Sequence, residues 1–265
     1  MPDKGYTFTK AQRLFIVLGG FFVTNALIAE FIGVKLFSLE KTLGFDPVNW
    51  TVFGVPGRSF TMTAGVLLWP VVFIMTDIIN EYYGKRGVRF LSYLTAGLIS
   101  YAYFMVFLAI KVVPADFWLD INADITPDIN TAFERVFGQG LWIIIGSLVA
   151  FLIGQIVDVV VFQRLRKVTG ERMIWLRATG STMVSQLIDS FVVLFIAFYI
   201  GPMMSDAPPW GMDMVFSTGS VNYIYKVFMA ILLTPLLYVV HFAIDSYLGK
   251  ELAEKMMKEA ADSTN

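Results

Sequence analysis

Six runs of mostly apolar residues, each about as long as a lipid bilayer is thick, constrain this chain more than any motif does. At roughly 1.5 Å of rise per residue, about 20 helical residues cross a hydrocarbon core of ~30 Å. The runs lie at residues 14–36, 62–80, 88–113, 141–162, 181–203 and 221–248. Backbone polar groups in lipid must be satisfied within the segment, so runs of this kind fold as helices. Composition agrees: 57% hydrophobic and 15% charged residues leave more apolar surface than a water-soluble fold can hide. The mean hydropathy of +0.67 says the same. The expected fold class is all-α, a polytopic membrane protein whose 265 residues make one transmembrane domain, a bundle of about six helices. The first run follows a basic tail, but it is too long for a signal peptide, carries Glu30 and lacks a small-residue cleavage site.

Orientation follows from the cations, because cytoplasmic loops retain Lys and Arg. Alternate connections hold Lys4, Lys10 and Arg13, then Lys85, Arg86 and Arg89, then Arg164, Arg166, Lys167, Arg172 and Arg177, then Lys250, Lys255 and Lys258. The opposite set holds Lys41, Arg58 and Arg135, with Lys35 and Lys111 at helix ends and the acidic Asp116, Asp120, Asp124 and Asp128. Both termini are therefore expected in the cytoplasm, and an even number of crossings agrees. Within the acidic connection, Thr126 and Pro127 read as an N-cap and first helical residue before Ile129, Ala132, Phe133, Val136 and Phe137 at helical spacing. A short helix is expected there, lying on the outer membrane surface or packed as a lid over the bundle.

Several function classes lack their residues. The absence of Cys excludes disulfides, thiolate metal sites and cysteine nucleophiles. A net charge of −1 gives no reason to expect nucleic-acid binding. No Gly-rich nucleotide loop, no His-Glu-x-x-His and no Gly-x-Ser-x-Gly is present, and the single histidine is His241. No catalytic residue, metal ligand or cofactor is expected, and the chain reads as a non-enzyme.

Function is sought instead among polar residues inside the runs, because an ionised group near the bilayer centre costs at least about 2.5 to 3.5 kcal/mol. Asn25, Asp77, Gln155, Asp158, Gln186, Asp189, Asn222 and Lys226 lie deepest. Glu30, Asn80, Glu81, His241 and Asp245 lie nearer the ends, where water and head groups are expected to solvate them. Two stretches echo each other: Gly154-Gln155-Ile156-Val157-Asp158 and Ser185-Gln186-Leu187-Ile188-Asp189. The three-residue spacing puts amide and carboxylate on one side of a helix, able to converge on one ligand. The small residue beside each Gln permits close helix approach. The plainer alternative is that the glutamines bond across a helix interface while one Asp pairs with Lys226.

Together these motifs resemble a known group. Thr76-Asp77 with Asn80-Glu81-Tyr82-Tyr83-Gly84-Lys85, the segment from Gly154 to Asp158 running on to Phe162-Gln163-Arg164-Leu165-Arg166, and Tyr223 with Lys226 before Pro235 are similar to the queuosine precursor transporter family, once grouped as vitamin uptake transporters. The resemblance covers most of the chain and is weakest over the connection from Pro114 to Gln139. It implies a six-helix inner-membrane protein that imports 7-cyano-7-deazaguanine, with 7-aminomethyl-7-deazaguanine as a second candidate, for tRNA modification.

The residues suit such a deazapurine substrate on independent grounds. Its guanine-like edge offers two adjacent N–H donors to one carboxylate, Asp158 or Asp189. Its ring oxygen and nitrogens need donors such as Gln155, Gln186, Asn25 or Lys226. With 24 Phe, 11 Tyr and 6 Trp, stacking partners are too plentiful to nominate. The expected substrate-binding set is Asn25, Asp77, Gln155, Asp158, Gln186, Asp189 and Lys226, around a central cavity that opens alternately to either side. Asp77 is read either as a gate or proton carrier or as a carboxylate reaching the cytoplasmic surface beside Lys85. The partners are the substrate and the lipid bilayer, and a homodimer is compatible. The alternative is a substrate-binding membrane subunit of an ATP-powered vitamin importer.

Overall fold

The computed structural model describes residues 8–138, 140–169, 173–204 and 207–262. Lys4, Gln139 and Arg172, used in the sequence reading, lie outside the described residues. Helix α1 (Lys10–Ile32) opens on a capping box: Thr9 Oγ1 accepts from the Gln12 amide at 3.2 Å, and the Gln12 side-chain oxygen accepts from the Thr9 amide at 2.9 Å. Leu18, Phe22, Ala26 and Ala29 face the core, while Val17, Phe21 and Ile28 face outwards.

The connection after α1 is more ordered than its sequence suggests. Strand β1 (Leu36–Ser38), the single turn α2 (Leu39–Thr42), and strands β2 (Trp50–Val52), β3 (Val55–Arg58) and β4 (Thr61–Thr63) form two small antiparallel sheets. β1 pairs with β4, Leu36 opposite Thr63, and β2 pairs with β3, Trp50 opposite Arg58. Residues 62 and 63, read as the start of a helix, are held in the β4 ladder instead. A 3₁₀ turn at Ala64–Leu67 then leads into α3 (Trp69–Lys111), whose first turn carries Pro70 where a missing N–H does no harm.

α3 is not one rod. Gly84 adopts φ 65° and ψ −172°, a conformation open essentially to glycine alone, and the chain doubles back there. Before Gly84 it runs antiparallel to α1: Gly65 abuts the Ala29 carbonyl at one end, and at the other the Tyr83 hydroxyl donates to the Ala11 carbonyl at 2.7 Å. After Gly84 it runs parallel to α1, with Leu91 against Gly19 and the Tyr103 ring 5.5 Å from Phe31. Among the described residues five helical stretches are long and apolar enough to cross a membrane, and the 43-residue α3 makes two passes because of this reversal.

Beyond α4 (Asp116–Asp120) comes the short helix α5 (Ile129–Phe137). Its cap is Asp128, not Thr126: the carboxylate accepts from the amides of Asn130 and Thr131, both at 3.1 Å, and an ionised acceptor is the stronger cap. Phe137 lies 6.5 Å from Phe31, so α5 covers the end of the bundle opposite the termini.

Helices α6 (Leu141–Thr169) and α7 (Ile174–Leu194) run antiparallel in close contact, because small residues recur on the shared face. Gly146 meets the Val193 carbonyl, Gly154 meets Asp189, and Gly180 meets Leu165. A π-helical stretch at Phe195–Ile200 and the turn α8 (Gly201–Met204) extend α7, with Gly201 against Trp142 of α6. α9 (Met212–Leu232) and α10 (Thr234–Leu248) form a sixth pass broken at Leu233, since Pro235 has no N–H to continue the ladder. After Gly249, α11 (Lys250–Asp262) buries Ala253, Met256 and Ala260 and accepts from Arg166 Nη2 at the Met257 carbonyl, 2.7 Å away.

The two termini share one face, where Lys10 Nζ donates to the Tyr247 carbonyl at 3.0 Å. Lys85, Arg166, Arg177 and α11 are gathered at that same end. The protein is an all-α polytopic membrane protein with only small sheets.

Candidate functional site

Two cavities lie along the bundle axis. The larger, about 510 Å³, descends from Leu36 and Gly138 at the end opposite the termini to Asp189, Asn222 and Lys226. Its size is that of a small-molecule site. A narrow cleft of about 30 Å³ continues beneath it, lined by Asp77, Thr182 and Gln186. Trp69 and Lys226 line both spaces and so form the partition between them.

Lys226 Nζ lies 2.5 Å from Asp189 Oδ2, closing the floor of the vestibule with an ion pair. Higher in the vestibule stands Glu30, whose Oε2 accepts from Ser147 at 2.9 Å and Tyr103 at 3.4 Å. Placing Glu30 at a solvated helix end is therefore corrected: it is 7% exposed and walled in by α3 and α6. Its isolation in an apolar run was the available signal.

The two echoing motifs face each other. Because α6 and α7 are antiparallel, each Asp packs over the small residue of the other motif: Asp158 beside Ser185, Asp189 beside Gly154. The residues differ where it matters. Ser185 Oγ donates to Asp158 Oδ1 at 3.2 Å, whereas Gly154 has no hydroxyl to offer, and Asp189 turns to Lys226 instead. Gln155 Oε1 accepts from Thr76 Oγ1 at 3.1 Å, so one glutamine does bond across a helix interface and one Asp does pair with Lys226, as the plainer alternative held. Several atoms are nevertheless buried and unpartnered among the described residues: Asp77 Oδ1, Asp158 Oδ2, Gln155 Nε2 and Gln186 Nε2.

Six of the seven expected residues thus cluster around the partition and the cleft below it. Asp77, Gln186, Asp189 and Lys226 line a cavity, while Gln155 and Asp158 stand behind the lining. Asn25 does not join them; its amide donates to the Phe21 carbonyl one turn back at 2.8 Å, and it lines neither space.

The end that carries the termini is sealed by Asn80 and Glu81, expected to be solvated there, while Asp245 keeps 38% of its side chain exposed. Asn80 and Glu81 are 0% and 2% exposed. Arg177 Nη2 donates to Glu81 Oε1 at 2.7 Å, Arg166 donates to the Glu81 carbonyl at 3.2 Å, and Gln163 donates to Asn80 at 2.6 Å. Tyr82 donates to Asp245 at 2.7 Å, with His241 Nδ1 3.1 Å from the same carboxylate. Depth along a helix does not reveal such burial, since α11, Arg166 of α6 and Arg177 of α7 cover this end from elsewhere in the chain.

Residues 63–240, about two thirds of the chain, match the family described as "Putative vitamin uptake transporter". The chain belongs to that family. Among curated proteins of this kind, the "Queuosine precursor transporter" of Escherichia coli (strain K12) is 30% identical over 200 residues, 74% of this chain and 79% of that one. The "Probable queuosine precursor transporter" of Bacillus subtilis (strain 168) is 33% identical over 141 residues, 53% of this chain and 58% of its own length. Its counterpart of the same name in Haemophilus influenzae (strain ATCC 51907 / DSM 11121 / KW20 / Rd) is 28% identical over 181 residues, 66% of each. The chain spans less than two thirds of the length of these last two relatives. No solved structure matches it. The vitamin uptake transporter match takes in Asp77, both echoing motifs and Lys226, and leaves Asn25 and Glu30 outside.

Proposed function

We propose that this chain imports a queuosine precursor, 7-cyano-7-deazaguanine with 7-aminomethyl-7-deazaguanine as the second candidate, through the inner membrane with both termini in the cytoplasm. The observation that carries the reading is the vestibule of about 510 Å³ floored by Asp189 and Lys226. A planar base entering it meets a carboxylate able to accept its two adjacent N–H groups and an ammonium able to donate to its ring oxygen. Gln186 Nε2, unpartnered just below, supplies a further donor once the ion pair yields to the base. The names of the relatives support the same substrate class. On this reading the vestibule faces outwards, and the chain acts as a carrier, not an enzyme, within a single transmembrane domain.

Uptake of labelled 7-cyano-7-deazaguanine by cells unable to make it tests the proposal. At matched membrane expression the intact chain restores uptake, and Asp189→Asn and Lys226→Met each reduce it at least tenfold. No uptake by the intact chain would overturn the assignment. Uptake that both variants leave untouched would move the site elsewhere.

A further inference from the structure

We propose that Asp77 and Asp158 share one proton at rest and carry a second inward with each molecule of base, an inference that rests on the import reading above. The two carboxyl groups belong to facing helices, α3 and α6, and are 4% and 0% exposed. Thr76, next to Asp77, donates to Gln155, one turn before Asp158, at 3.1 Å, so the two carboxyl groups flank one contact between these helices. No Lys or Arg among the described residues lies within ion-pair distance of either.

The neighbouring charges are engaged elsewhere. Glu81, one turn along α3, is held by Arg177 of α7 and Arg166 of α6. Lys226 of α9 shares the cleft with Asp77 but is bound to Asp189. His241 and Asp245 of α10 are tied to Tyr82. Two ionised carboxylates with no ion-pair partner among the described residues are too costly in a low-dielectric interior. One bound proton leaves the pair with a single charge and supplies an O–H donor to the unpartnered oxygens, Asp77 Oδ1 and Asp158 Oδ2.

The position of the pair gives that proton a route. Asp77 lines the cleft directly below the Lys226 partition, and Asp158 is bonded to Ser185, next to Gln186. When a base displaces the partition, the pair, which already holds one proton, gains access to vestibule water and takes a second onto the remaining carboxylate, becoming neutral. When the cleft opens at the terminal end, the same O–H releases that proton to water there. The cyano base is neutral, so each cycle moves one positive charge inward.

The full-length chain in liposomes, with labelled 7-cyano-7-deazaguanine, tests this. With the interior one pH unit more alkaline, one proton per neutral base drives about tenfold accumulation, since one unit corresponds to about 1.4 kcal/mol. A protonophore abolishes it. The double variant Asp77→Asn/Asp158→Asn, left without a carboxyl to load, loses gradient-driven accumulation, and Ser185→Ala, outside the expected binding set, keeps exchange while its pH dependence shifts. Exchange by the wild type that ignores both gradient and protonophore overturns the proton inference and leaves the import reading standing. Accumulation that survives in the double variant, or exchange by Ser185→Ala with an unaltered pH dependence, overturns the assignment to this pair. No exchange by the wild type overturns the import reading, and this inference with it.

Discussion

Single positions separate what a residue type demands from what its surroundings add. At Gly84 the backbone itself imposes the demand, so Gly84→Ala strains the reversal by about 1–3 kcal/mol. Thermal unfolding in detergent should show a lowered midpoint, and an unchanged one would mean that the turn relaxes freely. Glu40 shows surroundings at work outside the membrane passes. Burial pushes its carboxyl up, but the Phe60 amide at 2.8 Å, the Ser38 hydroxyl and further backbone amides outweigh it and hold it below the ordinary 4.5. A group with a lowered folded value stabilises the fold above its unfolded value, and that contribution disappears as pH falls through the folded one. Hydrogen exchange at the Phe60 amide should therefore speed up as pH drops below 4.5, relative to the intrinsic rate, and Glu40→Gln should flatten that dependence. The motif pair teaches the same lesson: Gln-x-x-Asp is legible twice in the sequence, but the different fates of Asp158 and Asp189 depend on whether serine or glycine faces them.

At the scale of elements, closure of the terminal end depends on pieces far apart in the chain. Glu81 sits on α3, its guanidinium partners on α6 and α7, and α11 accepts from one of them. Removing one member of such a buried ion pair costs about 3–5 kcal/mol, so Glu81→Gln should lower the unfolding midpoint well beyond what a lipid-facing change such as Phe242→Leu does. Equal midpoints would show that the cluster is dispensable. The six runs were legible because 3.6-residue periodicity and apolar length are local properties. The hairpin sheets of residues 36–63 were not, since three- and four-residue strands leave no periodic signal and are defined by pairing. The break at Leu233 was foreshadowed by Pro235, but its role in splitting the last pass shows only in the fold.

For the whole molecule, the structure has one open end and one closed end, and the natural absence of Cys makes that testable without background. Single cysteines at Ser147, in the vestibule, and at Ser181, fully buried beneath the partition, should differ sharply toward a membrane-impermeant maleimide applied to intact cells. Ser147→Cys should label and Ser181→Cys should not; labelling at neither position would place the vestibule on the other side of the membrane. Hydrophobic content and run length alone made this chain a helical membrane protein, because transfer of apolar surface and backbone satisfaction act residue by residue whatever the partners. The identity of the rare intramembrane polar residues was equally open to reading, since each stands out against lipid. Which of them meet was decided only by the tertiary structure: the antiparallel register of α6 and α7 sets Asp158 against serine and Asp189 against glycine, the reversal at Gly84 brings Asp77 to them, and α9 delivers Lys226. Charge pairing and burial depend on distance in space, and distance along the chain does not encode it.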